Sequence, residues 1–534
     1  MFVRAGASLS GALFWQNYAM MLALVGLLHR WAWRLTRDRA AALLTPALVL
    51  LSGGLGWVVF LKQALADGRG LFLMLGALEQ DYTIMRHLGI AWGNAVTALF
   101  VPQRGILLGV GLALVVWTLW WEATGQKAEG AGREAEGETS GEDARAQREK
   151  KRGKQRKSSA SVAVTRQPTE SRVAQESSAA SGLPPSAFTQ MLAAGLVAGL
   201  LPLAHAHSFV VMMAMGGCLA LLQGALAWKG DGGGRGAGAR LWEVWRPWAV
   251  FGVAALALAA PQMWWATRES AVQSGRFFGW EFGWDNGEEN AAWFWLKNTG
   301  LFIPLLVWAL AWRGRGRVVS ARLFYFYLPF TLCFVVPNLF KLSPWVWDNI
   351  KILLYWWIAS APLVALVVAW VWRRGAAYRF AAAGLLLALT GAGALDVWRA
   401  ASGAVERQTF DADGVRFAEL IKAQTPPRAL ILHAPTYNDP VYLTGRRTFL
   451  GYPGHIWSHG LDYAEREAQL VRVYEGGPDA ARLLAQNRIE YVVVGPLEEA
   501  EMRSRRQRLN RSFFERYPKV GEAGAYRLYK TAQP

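Results

Sequence analysis

The chain is poor in cysteine: Cys218 and Cys333 are its only two, and both fall within apolar segments, which leaves no disulfide framework. Charge is scarce as well, at 18% of residues against 53% hydrophobic, with 28 tryptophans among them. Residues 1–28 do not read as a cleaved signal peptide, because the basic flank follows the apolar run and no small-residue cleavage site is obvious. No internal repeat stands out. The formal charge of +18 would suit nucleic acid. It is concentrated instead in short connections between apolar runs and in one linker, where it orients a membrane chain, so no nucleic-acid partner is expected.

Long apolar runs are what the sequence does contain. About ten approach the length needed to cross a bilayer, near residues 13–28, 40–61, 105–121, 186–204, 208–228, 244–265, 292–312, 322–340, 352–372 and 377–396. The expected fold is a polytopic α-helical membrane protein with a C-terminal soluble α/β domain. Basic clusters recur on alternate connections: Arg30/Arg34/Arg37/Arg39, Lys150–Lys157, Lys229/Arg235/Arg240, Arg313/Arg315/Arg317 and Arg373/Arg374/Arg379. The positive-inside rule makes these cytoplasmic. The other, external face then receives residues 62–104, the turn at His205–His207, 267–291, 341–351 and everything after 397. This alternation puts residues 1–28 outside at their start, which calls for either a short tail translocated alone or a further membrane helix upstream, and the second is the expectation.

Four regions follow: 1–122, membrane region with its external loop 62–104; 123–185, a disordered cytoplasmic linker; 186–397, membrane region; and 398–534, an external α/β domain. The linker turns from acidic (Glu129, Glu134, Glu136, Glu138) to basic (Arg148, Lys150–Arg152) without apolar periodicity, so it lacks the surface to fold. In the last region Phe410–Gln424, Glu465–Tyr474 and Pro478–Gln486 have helical spacing. Ala429–His433 and Glu490–Gly495 read as buried strands, with Ala525–Tyr529 as a closing one.

Polar residues at the external boundary are the candidate site. Trp345-Val346-Trp347-Asp348-Asn349-Ile350-Lys351 sets an acid, an amide and a cation at the mouth of a membrane helix, ringed by Trp345, Trp347, Trp356 and Trp357. It is either an interfacial anchor with a local Asp–Lys pair or a grip on a lipid-linked phosphate. Glu79 and Asp81 stand two residues apart and suit a hard divalent cation such as Mg or Mn, or general-base work. Gln103 and Arg104 open the next helix, where Arg104 suits a phosphate. His205 and His207 flank a tight turn and either cap it or bind substrate. Trp280–Asn286 mixes rings and acids, as a sugar site or an interfacial belt does, and its Asp285, with Asp348, joins Glu79 and Asp81 as a candidate catalytic base. In the terminal domain, Gly451–Tyr463 reads as a binding loop bearing His455 and Trp457.

Taken together, the membrane region, Trp347-Asp348-Asn349-x-Lys351, Val441–Arg446, Gly451-Tyr452-Pro453-Gly454 and Tyr491–Pro496 resemble the bacterial integral-membrane glycosyltransferases of the GT-C superfamily. The architecture is similar to that of protein mannosyltransferases and aminoarabinose transferases. The resemblance implies an inner-membrane enzyme that moves a hexosyl or pentosyl unit from a polyprenyl-phosphate donor to a glycan, lipid or protein acceptor. It implies an external carboxylate as base, with cations or a metal on the phosphate. The family's principal acid lies in a first external loop, which this chain begins too late to contain. Two other readings remain: a transporter or flippase of lipid-linked sugars, and a non-catalytic scaffold that binds glycan or a partner.

Overall fold

The computed structural model describes residues 6, 8–68, 70–125, 186–229, 236–268, 278–312, 317–343 and 345–531. From residue 126 onward the expected linker lies outside them, as do Arg235, Arg313 and Arg315. Two compact units result: Met1–Gln262 with Phe278–Ala404, and Met263–Phe277 with Val405–Pro534.

The first unit is helical. Its described helices are α1 (Leu9–Thr36), α2 (Arg39–Leu50), α3 (Gly56–Asp67), α4 (Leu71–Gly76), α5 (Arg104–Gly125), α6 (Ala187–Ala204), α7 (Ala206–Lys229), α8 (Ala237–Thr267), α9 (Ala291–Thr299), α10 (Phe302–Ala311), α11 (Ala321–Leu339), α12 (Val346–Trp372) and α13 (Ala376–Ala401). Eight are long and apolar enough to cross a membrane, and α9 with α10 makes nine. That pair is bent by 101° at Gly300, which takes a left-handed φ of 57°. The straight span expected at 292–312 is therefore broken. The run at 40–61 is broken too, into two helices of 12 residues each, about 18 Å long at 1.5 Å per residue. Helix α5 continues to Gly125 and α13 to Ala401, so the expected boundaries at 123 and 398 both move outward.

The break between α2 and α3 exists because the chain there runs against two neighbours at backbone distance. A Cβ on Gly54 would sit 1.9 Å from the Lys297 carbonyl oxygen, and one on Gly56 1.7 Å from that of Tyr82. Only glycine permits that approach.

Helix α12 is the centre of the bundle, with 94% of its apolar window buried inside the protein. It packs against α2, α13, α11 and α10. Tryptophans expected at an interface are core residues here: Trp356 and Trp357 are buried. Trp357 stacks on Phe302 at 3.6 Å and meets Trp92 at 4.9 Å, and its indole N–H donates to the Leu48 carbonyl. Aromatic pairs of this kind add to the area that they bury.

The two sets of connections separated by the charge pattern are each joined within themselves. At the basic end Arg373 pairs with Asp38 at 2.6 Å and Arg34 with Glu122 at 3.3 Å, while Arg322 stacks over Trp121 and donates to its carbonyl. At the opposite end Trp347 donates to the Ala91 carbonyl and Trp284 to that of Val346. There Asn298 receives the N–H groups of Ala91 and Trp92. Strands β1 (Gly279–Trp280) and β2 (Phe340–Lys341) pair antiparallel in the same layer.

The second unit is α/β. Its strands are β3 (Leu430–Leu432), β4 (Arg447–Thr448), β5 (Tyr491–Val494), β6 (Lys519–Ala523) and β7 (Tyr526–Lys530), in the order β4-β3-β5-β7-β6. The first three run parallel and the last two antiparallel. Its helices are α14 (Ala412–Gln424), α15 (Pro453–Ser458), α16 (Ala464–Glu475), α17 (Ala480–Gln486), α18 (Pro496–Ser504) and α19 (Arg511–Phe514). Asp411 caps α14 by accepting from the Gly414 N–H. Helix α16 carries Glu465 and Glu467 in its first turn and Arg472 in its last, and ends on Gly476 at φ 65°. The three expected strands are present to within a residue or two. Part of the expected loop at 451–463 is instead the short helix α15.

Candidate functional site

The loop end of the first unit collects the polar candidates into three groups. The first surrounds residues 79–83. Asp396, inside the last turns of α13, accepts from the backbone N–H groups of Tyr82 at 2.5 Å and Thr83 at 3.1 Å and from the Thr83 hydroxyl. One turn further on, Arg399 donates to the carbonyls of Leu78 and Glu79 and pairs with Asp81 at 2.7 Å. These bonds fix the loop, and they occupy Asp81. Glu79 differs: its carboxylate is exposed and makes no ion pair among the described residues. It lines a polar pocket of about 620 Å³ with Gln63, Gln80 and Tyr82. Helix α4 separates that pocket from an apolar groove of about 680 Å³ walled by Trp57, Phe60, Phe72, Leu387 and Trp398. Met74 and Ala77 face the pocket, while Leu71 and Leu75 face the groove.

The second group lies where α5, α7 and α12 meet. Lys351 pairs with Asp348 at 3.2 Å, with only 13% of its side chain exposed. The rings of His205 and His207 stack at 5.0 Å. Burial pushes His205 down to about 3, and the neighbouring His207 and Lys351 act in the same direction. It is therefore a neutral imidazole at physiological pH. Its Nδ1 meets the Ser208 hydroxyl at 2.8 Å, which in turn bonds the buried Tyr355 hydroxyl. A Cβ on Gly105 would approach the Ala204 carbonyl at 2.6 Å, and one on Gly109 the Ser208 Oγ at 2.5 Å. The start of α5, with Arg104 exposed and Gln103 half-buried, thus packs beside the histidine turn.

Asn349 does not belong with its neighbours in function. Its amide accepts from the Leu342 N–H and donates to the carbonyls of Pro337 and Phe340, and it is 1% exposed. Every strong contact of that side chain is spent on backbone. The expectation that it binds substrate is corrected accordingly: it holds the chain entering α12 in place.

The third group is Asp285 with Arg86, 2.8 Å apart, and Glu289 with Lys297, 2.7 Å apart. Burial raises Asp285 above the usual carboxylate range in spite of Arg86. Asp285 also takes a left-handed φ of 53°. Of the aromatics around it, Trp280 is 69% exposed while Trp284 is fully buried, so Trp284 is a packing residue and no platform for a sugar.

His455 and Trp457 lie on α15 in the terminal domain, His455 exposed and Trp457 half-buried. Sequence reasoning passed over Asp396 and Arg399. Their signal was present: two opposite charges three apart in the final turns of an apolar span are costly unless they serve a purpose.

Glu79 and Asp81 do not fit a divalent cation between them. Asp81 is held by Arg399, and among the described residues no group of three or more His, Cys, Asp or Glu side chains is placed to hold a metal. Hard cations want six or more oxygens.

No protein-family model and no curated protein matches the sequence. Among solved structures, the chain is similar to the oligosaccharyltransferase of Archaeoglobus fulgidus in its apo form. That match has TM-score 0.46 and 10% identity, over 90% of this chain and 58% of that one. The same enzyme tethered by a disulfide to an acceptor peptide containing the NVT sequon gives TM-score 0.41 and 10% identity, over 96% and 61%. The chain thus spans about three fifths of that protein's length. Likeness this distant assigns no family.

Proposed function

We propose that the chain is a membrane glycosyltransferase that moves a sugar from a polyprenyl-phosphate donor to an acceptor hydroxyl at the external face of a bacterial inner membrane. The observation that carries this reading is the Glu79 carboxylate, without an ion pair among the described residues, in a polar pocket that shares α4 with an apolar groove. A lipid-linked substrate has the same two parts, a polar head and an isoprenoid chain.

In this reading the acceptor oxygen attacks the anomeric carbon and gives its proton to Glu79. The bond from that carbon to the phosphate oxygen breaks, and polyprenyl phosphate leaves with the electron pair. Positive charge is needed where the leaving oxygen gains its own. Lys351 and Arg104 supply it, and the neutral ring of His205 offers an N–H donor without competing as a cation. Asp348 orients Lys351. No step is routed through a metal.

The test is transfer in proteoliposomes containing the full chain and a polyprenyl-phosphate-linked radiolabelled sugar, with label followed into an added acceptor. Transfer by the wild type that is lost in Lys351→Ala supports the reading. The bent α9–α10 pair is a feature that a transporter shares. Movement of the intact lipid-linked sugar across the bilayer, without transfer, replaces the transferase by that reading. Glycan or partner binding that Lys351→Ala leaves intact, again without transfer, favours a scaffold.

A further inference from the structure

The terminal domain has a crevice of its own. Strand β3 lies between β4 and β5. The chain leaves β3 toward β4 on one side, then returns past it to β5 on the other. The loops after β3 and β5 therefore diverge from the carboxyl ends of adjacent parallel strands, the place where open α/β sheets bind ligands. A pocket of about 210 Å³ occurs between them, with Asn438 and Pro440 from the segment after β3, Leu497 from the first turn of α18 after β5, and Tyr526 from β7. Residues 408–411 close the remaining side.

Two buried carboxyls brace its walls. Glu498 accepts from the Ala434 N–H at 2.8 Å and so ties the turn after β5 to the loop after β3. Asp439 accepts from the Val441 N–H at 2.9 Å and shapes the same loop from within. Both carboxyls are 0% exposed, so this scaffold is inside the domain and only the lining meets solvent. A preformed pocket loses less on binding than one that must be ordered.

The lining selects a chemistry. Gln408, Thr409 and Asn438 offer groups that both donate and accept. Phe410 and Tyr526 add ring surface. No lysine or arginine is among the lining residues, so an anionic ligand finds no counter-charge. A neutral pyranose has this pattern reversed: hydroxyls that donate and accept around its edge, and apolar C–H faces. The volume holds one such ring and little more. We infer that this pocket binds one neutral monosaccharide unit of a glycan. The site stands on the terminal domain alone and survives if the transferase reading fails.

The experiment is saturation-transfer NMR on the full chain in phosphatidylcholine nanodiscs, which carry no sugar headgroup. Methyl glycosides of glucose, mannose and galactose serve as probes. The expected result is transfer to the ring protons of at least one glycoside and about tenfold weaker binding in Asn438→Ala and in Gln408→Ala. Both pocket variants alter side chains outside the domain cores, and circular dichroism melting checks that each is folded. Absence of signal from all three glycosides overturns the proposal. So does equal affinity in the wild type and both pocket variants.

Discussion

Asp396 accepts hydrogen bonds from the main chain of Thr83 and from its hydroxyl, across 313 positions of sequence. A carboxyl group near the end of a membrane helix thus sets the path of the loop that presents Glu79. Replacing it by Ala leaves the buried N–H groups of Tyr82 and Thr83 without partners, at about 1–3 kcal/mol each. Asp396→Ala should therefore melt well below the wild type in detergent, with Asp396→Asn between them. Equal melting of all three would contradict the assignment.

Glu79→Gln is expected to lower transfer by about 10²–10⁴-fold, the range for a positioned proton acceptor. Melting should stay at the wild-type value, since the side chain is exposed and makes no ion pair among the described residues. A variant that transfers normally removes Glu79 from the mechanism.

Lys351 and Asp348 separate charge from structure. Lys351→Met strips Asp348 of its cation in a largely enclosed place, which lowers stability. It should also cut transfer by about 10²–10³-fold, as loss of a donor to developing charge does. Adding Asp348→Asn should restore the melting temperature and leave transfer low. Recovery of both together would make Lys351 merely structural.

Glu498 gives the terminal domain a pH dependence of calculable sign. Burial, with Asp439 beside it, raises its carboxyl well above the ordinary glutamate value. The folded state therefore keeps a proton that the unfolded chain releases, and stability falls as pH rises from the ordinary carboxylate range toward the raised value. Glu498→Gln, which resembles the protonated acid, should flatten that decline in pH-resolved melting of the full chain. An identical slope in the variant would assign the decline elsewhere.

Gly54→Ala tests the junction of α2 and α3. The added methyl would lie 1.9 Å from the Lys297 carbonyl oxygen, a backbone atom that has no rotamer to escape by. A loss of at least about 1–3 kcal/mol is expected, by analogy with overpacked cores. Thermal melting checks it, with Gly217→Ala, where the added methyl meets open space, as the control.

Apolar length and the alternation of basic clusters were enough to locate nearly every span, because both are properties of residues close together in the chain. The same holds for the strands at Leu430–Leu432 and Tyr491–Val494 and the helices beside them, whose patterns are local. What a sequence does not carry is which polar groups already have partners. Asn349 and Lys351 looked alike as neighbours at a helix mouth, yet one is committed to three backbone groups and the other to a single carboxylate. Glu79 and Asp81 looked like a pair until Arg399, from the far end of the membrane region, took one of them. The breaks at Gly54 and Gly300 were hidden for a similar reason. A backbone within contact distance decides the first and a left-handed φ the second, and only the folded chain sets either.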